Sequence, residues 1–162
     1  FGSCIFKPLY STKARGMCVI ESDQDEAAIS QQIAAFQRDN PMMYMQKRLQ
    51  LPGHDLGMVF LGGEYLGSYA RVAQGNAWNT TINSGGRYAA HEPDADIIEM
   101  ARCAQGLFNL DFTTVDVAET ADCPVVFEVS AFGGFRGALE GLGINAAQRY
   151  ADYVVKKLRP LK

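Results

Sequence analysis

Asp116 and Glu128 each interrupt an apolar run, over residues 110–117 and 124–129, at a position where a core residue would otherwise sit. A break over residues 119–123 separates the runs, so they read as an antiparallel hairpin with the carboxylates side by side. Burying two like charges without compensation is costly, and a divalent cation, a positive side chain or a shared proton would relieve it. Oxygen donors suit Mg2+, and Mg2+ travels with phosphates. The plainer reading is a pair of acids at exposed strand ends.

Other residues carry chemistry compatible with a phosphate. Lys7 sits in an otherwise apolar strand, where a lysine points to solvent or reaches an anion. The segment Ser11-Thr12-Lys13-Ala14-Arg15-Gly16 is small, hydroxyl-bearing and basic, so its backbone N–H groups and Arg15 could fold over phosphates. It is not a P-loop, because the Gly-x-x-x-x-Gly-Lys-Ser/Thr pattern is absent. Arg71, near the end of an apolar strand, could stabilise charge on a transferring phosphoryl group, and an edge-strand arginine facing water is the alternative. Residues 79–87, Asn-Thr-Thr-Ile-Asn-Ser-Gly-Gly-Arg, offer side-chain donors and a flexible glycine pair, or a plain loop.

The elements that must position these groups alternate between strand and helix. Strands are expected over residues 3–9, 17–21 and 42–47, with an amphipathic helix over 25–38 that places Ile29, Ile33 and Phe36 on one face and is capped by Ser22 or Asp23. A hairpin over 56–61 and 65–72 turns at Gly62-Gly63, and residues 74–87 form a long loop of the length at which loops tend to be functional. Helices over 94–108 and 145–158 flank the carboxylate hairpin. Strands and hairpins among helices give an α+β fold.

Composition narrows the function. The chain has 162 residues, 48% hydrophobic and 20% charged, enough for a real core. Its net charge of −3 argues against an electrostatic nucleic-acid partner, the longest basic run being the 156–159 tail. No apolar run approaches the ~20 residues that span a bilayer, which leaves no membrane partner to expect. Cys4, Cys18, Cys103 and Cys123 have no C-x-x-C spacing and no metal pairing with His54 or His91, so reduced thiols in a cytoplasm are expected. The chain opens at Phe1 directly into a strand without an initiator Met, as though cut from something longer.

Taken in order, Lys7-Pro8, the Ser-Thr-x-x-Arg-Gly loop, the strand ending in Gln46, Asp55 before a hairpin, residues 78–86, Val115-Asp116 and Glu128-Val129-Ser130 resemble the ATP-grasp fold of RimK-type alpha-L-glutamate ligases. Such enzymes phosphorylate a carboxylate with ATP, and an amine, often that of glutamate, attacks the acylphosphate to give an amide. The resemblance implies ATP and Mg2+, with Mn2+ as a substitute, antiparallel sheets packed with helices, and homo-oligomers. It implies a partial central lobe over residues 1–46 and a C-terminal lobe over 47–162, the N-terminal domain being absent, and hence little or no ligase activity for the chain alone.

Roles follow residue by residue from the resemblance. Lys7 would contact phosphates beneath a mobile loop containing Ser11, Arg15 and Gly16. The backbone around Gln46, Lys47, Arg48 and Leu49 would read adenine, with Asp55 near the ribose. Arg71 would steady the transferring phosphoryl group, and Asn79, Thr80 and Thr81 would lie beside ATP and the acceptor. Asp116, Glu128 and Ser130 would hold the metal.

Four positions depart from the family pattern. Lys47 replaces an acidic nucleotide contact, Gly57 an arginine, Thr81 an asparagine and Ser130 the asparagine that usually closes the metal motif. Residues 131–137 also replace a commoner Ser-x-Pro-Gly-Phe-like continuation. A divergent subgroup with its own acceptor follows, the carboxylate belonging to a protein C-terminus, a peptide or a cofactor tail. The competing expectations are a ligase using an amine other than glutamate, and a nucleotide-binding module that has lost turnover.

Overall fold

The computed structural model describes residues 2–75 and 77–159, so the expectation that the chain opens directly into a strand at Phe1, and Asn76 of the expected long loop, lie outside the described residues. The chain divides into two compact units, Phe1–Gln50 and Leu51–Lys162.

The first unit is a three-stranded antiparallel sheet of order β2-β1-β3, with β1 over Cys4–Pro8, β2 over Cys18–Ile20 and β3 over Met43–Lys47. Helix α1, Glu26–Asp39, lays Ile29, Ile33 and Phe36 against Phe6 and Ile20. That is the face expected from the 3.6-residue period. The cap differs: Asp25, not Ser22 or Asp23, accepts the Ala28 N–H, and it does so from the position immediately before the first helical residue.

The second unit is a five-stranded antiparallel sheet of order β6-β5-β4-β7-β8 with three helices. Its strands are β4 His54–Leu61, β5 Glu64–Val72, β6 Arg87–Ala90, β7 Phe112–Glu119 and β8 Pro124–Val129. The β4–β5 hairpin turns at Gly62-Gly63, whose φ angles of 59° and 84° lie in the left-handed region that glycine enters without steric cost.

Period-two alternation gives this sheet two different faces. Leu56, Met58, Phe60, Val115 and Val117 pack against Ile97, Ile98 and Ala101 of α2, Ala95–Gly106. The opposite face carries Val59, Leu61, Tyr69 and Phe112 beneath α3, Phe135–Leu142, and α4, Ala146–Leu158. Because both faces are covered, the central strand β4 is buried along nearly its whole length.

Two elements were not expected from sequence. Strand β6 begins at Arg87, the last residue of the stretch read as loop, and runs on to Ala90, after a 3-10 turn at Ile82–Ser84, and α3 follows the carboxylate hairpin. The glycines of α3 lower its helix propensity, yet packing requires them. A Cβ at Gly137 would lie 2.2 Å from the Tyr69 ring, and one at Gly141 would lie 2.6 Å from the Tyr69 Cβ. Gly57 of β4 meets the same ring, with a would-be Cβ 2.4 Å from Cζ. Tyr69 is thus wedged between a strand glycine and a helix glycine. A Gly57→Ala substitution is expected to destabilise the chain by about 1–3 kcal/mol. Adding Tyr69→Ala should restore part of the loss in a double-mutant cycle followed by urea unfolding, and strictly additive losses would contradict the wedge.

Candidate functional site

Four strands of the second unit present one row of charge on the α3 face. Arg71 of β5 pairs in register with Asp55 of β4, and Asp116 of β7 pairs in register with Glu128 of β8. Gly57, with no side chain of its own, stands opposite Asp116 between them. The Arg71 Nε donates to both Asp55 oxygens at 3.2 Å, one Nη reaches Asp55 Oδ2 as well, and the same Nη lies 2.8 Å from Asp116 Oδ2.

Of the three carboxylates, Asp55 and Asp116 are buried, at 2% and 6% exposure, and one guanidinium serves both. Burial works against the Arg71 charge, but Asp116 and Asp55 outweigh it and hold the guanidinium ionised. Burial pushes Asp116 the other way, up to about 7, opposed by Arg71 and reinforced by Asp55 and Glu128. Three carboxylates face one guanidinium, so the row carries a formal charge of −2 with Asp116 ionised and −1 while Asp116 keeps its proton.

Asp116 Oδ1 is buried and accepts no hydrogen bond. A buried carboxylate oxygen left without a partner is expensive, and a cation is the ligand that would satisfy it while cancelling the excess charge. Beside it, Ser130 Oγ donates to Glu128 Oε1 at 2.9 Å, which brings the third position of the motif onto the second. The backbone of Ser130 is itself fixed, its N–H to Thr114 O at 3.0 Å and its carbonyl to the Thr113 hydroxyl at 2.6 Å. Two carboxylates and a hydroxyl form an all-oxygen donor set that fits Mg2+.

The structure gives Glu128, Asp55 and Arg71 their surroundings. Glu128 lies on the edge strand β8 and is exposed, so only Asp116 takes a buried core position. Asp55, which the resemblance puts near a ribose, has its carboxylate turned to Arg71. Arg71 itself is on an interior strand, one-fifth exposed and doubly paired, not an edge arginine facing water.

The remaining candidates form local groups. Within the first unit Lys7 Nζ donates to Gln46 Oε1 at 2.6 Å and lies 5.8 Å from the Tyr44 ring centre, so the lysine meets a neutral amide. The Ser11 hydroxyl donates to Arg15 O, and Lys13, Ala14 and Gly16 all have positive φ, which curls the 11–16 loop into a tight turn. Arg48 is paired with Glu21, while Lys47 is exposed and Leu49 half-buried. In the second unit Asn79 Oδ1 accepts from the N–H and hydroxyl of Thr81, at 3.1 and 2.8 Å, around a buried Thr80. The coupling of Asp55 to Arg71 was missed from sequence. Its only signal was a near-equal distance from the Gly62-Gly63 turn, seven residues before Gly62 and eight after Gly63, and the bulge at Val59/Phe60 takes up the extra residue.

A family model described as RimK-like ATP-grasp domain matches residues 3–154, and the chain belongs to that family. Glutamate–LysW ligase ArgX of Sulfurisphaera tokodaii is 29% identical over 111 residues, covering 68% of this chain and 39% of that protein. Tetrahydromethanopterin:alpha-L-glutamate ligase of Methanosarcina acetivorans is 21% identical, with 95% of this chain and 55% of that protein covered. The ATP-grasp ligase PsnB, solved with a phosphomimetic variant of its minimal precursor, Mg and ADP, superposes with a TM-score of 0.70 at 21% identity over 96% of this chain and 47% of its own. D-cycloserine synthetase DcsG gives 0.73 at 15% identity, over 98% and 56%. The fold is therefore ATP-grasp, α+β with antiparallel sheets packed by helices, and the chain spans about half the length of the curated relatives it matches.

The raised Asp116 carries a pH signature. The native state keeps a proton that the unfolded chain releases above 3.8, so this contribution stabilises the fold at low pH and is lost as pH rises toward 7. In metal-free buffer, the stability difference between the parent chain and Asp116→Asn should shift against the parent by roughly a few kcal/mol across that window. Parallel stability–pH curves from denaturant titrations would show that Asp116 does not titrate there.

Proposed function

With the family established, we propose that this chain belongs to an ATP-dependent carboxylate–amine ligase of the glutamate-adding kind and supplies the metal-holding side of its ATP site. The observation that carries the reading is the row Arg71, Asp55, Asp116 and Glu128, with its excess negative charge and the orphaned Asp116 Oδ1. The names of the relatives, glutamate ligases among them, support the choice of amine.

Asp116 and Glu128, with Ser130, would hold Mg2+, which when bound supplies neutralising charge for the ATP phosphates. Arg71 is held by Asp55 so that its guanidinium is fixed in place and ionised, the condition for stabilising charge that grows on a phosphoryl group. Lys7 and the backbone N–H groups of residues 11–16 bind phosphate oxygens, main chain at Gln46, Lys47, Arg48 and Leu49 reads adenine, and Asn79, Thr80 and Thr81 position the acceptor. An acceptor carboxylate oxygen bonds to the γ-phosphorus as the bond to ADP breaks. The amine nitrogen then attacks the acyl carbon, inorganic phosphate leaves with the electron pair, and the nitrogen loses a proton to solvent. Phosphorylation gives the carboxylate the leaving group that its own oxygen lacks. The four cysteines are free, as suits a reducing cytoplasm, and no helix among the described residues is long and apolar enough to cross a membrane.

Arginine's planar fork, not its charge alone, suits this task. Arg71→Lys is expected to lower acceptor-dependent ADP release about 10²–10³-fold while ATP affinity changes far less. Asp116→Asn should abolish Mg2+-dependent ATP binding in calorimetry on the protein in its full natural form. Equal ATP binding with Mg2+ and with EDTA would overturn the metal assignment, and phosphate release no faster with glutamate than with other amino acids would overturn the amine.

A further inference from the structure

The other face of the same sheet holds a second set of ligand atoms. His54 opens β4 and Glu119 ends β7, with the same alternation as Leu56 and Val117, which puts both side chains on the α2 face, away from Arg71. His91 reaches them from the connection between β6 and α2. Its Nε2 is 3.1 Å from Glu119 Oε2, the His54 Nε2 is 3.0 Å from that same oxygen, and the two imidazole rings are 5.2 Å apart between centres. One ligand atom from each residue lies within 4.8 Å of the others, the only such three-residue cluster of His, Cys, Asp or Glu among the described residues.

We propose that His54, His91 and Glu119 form a second cation site, for a Zn2+-class ion, separate from the oxygen-ligand row around Asp116. Two imidazoles and one carboxylate make a borderline-soft set that selects Zn2+ over Mg2+. In a tetrahedral site with bonds of ~2.0–2.1 Å, neighbouring ligand atoms are about 3.3 Å apart, so the two nitrogen–oxygen distances of 3.0 and 3.1 Å need only a slight widening to admit the ion. The ligands come from two neighbouring strands and one connection, and each is about one-quarter exposed, which leaves a coordination position open to water. The ion would tie the connection before α2 to the sheet end at which Asp55 stands. The set contains no cysteine; the partner of the two histidines is a glutamate distant in sequence.

Zn2+ titrated into the metal-free protein by calorimetry, in excess Mg2+, tests the assignment. One ion per chain is expected, with at least ten-fold weaker binding for each of His54→Ala, His91→Ala and Glu119→Gln, and a rise in melting temperature on Zn2+ addition that these variants lack. Zn2+ binding unchanged by the three substitutions would overturn the site. Co2+ provides a readout on the unmodified chain, independent of whether any variant folds. A four- or five-coordinate spectrum with nitrogen and oxygen ligands supports the site. A thiolate charge-transfer band, pointing to Cys4, Cys18, Cys103 or Cys123, or a six-coordinate aquo-like spectrum overturns it.

Discussion

One guanidinium shared between two buried carboxylates constrains everything around it in the second unit. Arg71 cannot leave without stranding Asp55 and Asp116 as uncompensated buried charge, a loss that for pairs of this kind runs to about 3–5 kcal/mol. Nor can it satisfy both acids and the exposed Glu128 as well. The site is therefore built with a deficit of positive charge, and the deficit is concentrated at one oxygen, Asp116 Oδ1. A fold that needed only stability could replace such a row with apolar side chains. Keeping it is intelligible if a cation and an anionic ligand complete it.

The packing above the row serves the same end. Tyr69 adjoins Arg71 on β5 and lies on the same face, where burial pushes its phenol up to about 12 and keeps it neutral beside the ion pairs. Gly57 makes room for that ring from below, and Gly137 of α3 makes room from above. The aromatic ring fills the space over Gly57, and Arg71 is the arginine that pairs within the row.

Much of this was legible in the sequence because period and type agree there. The runs around Asp116 and Glu128 are apolar on either side of a short break, so the hairpin follows from sequence, while the bulge between Asp116 and Val117 adds the one residue of register that sets the acids side by side. What failed had a physical cause each time. Strand β6 is a four-residue Arg-Tyr-Ala-Ala segment without β-branched residues, and α3 carries the glycines that a propensity argument counts against it. Burial of Asp55 and exposure of Glu128 depend on which strand is central and which is at the edge, and strand order is not written in local pattern. The convergence of His54, His91 and Glu119 joins residues far apart in the chain, so spacing rules for metal motifs could not find it.

The alternation that makes a strand two-faced also lets neighbouring residues belong to different chemistry. His54 and Asp55 are adjacent in β4, yet one side chain turns toward the α2 face and the other toward Arg71. Glu119 and Asp116 are likewise three residues apart on β7 and on opposite faces. A sheet buried on both sides transmits little through side chains, which cannot cross it, but its backbone ladder is common to both faces. Any ligand that pins His54 and Glu119 at the strand ends therefore limits the sliding and twisting of β4 against β7, and those are the motions that would change the distance from Asp55 to Asp116. The two charge clusters are chemically separate and mechanically joined through the β4–β7 pairing, whose register runs unbroken from Leu56↔Val117 to Leu61↔Phe112.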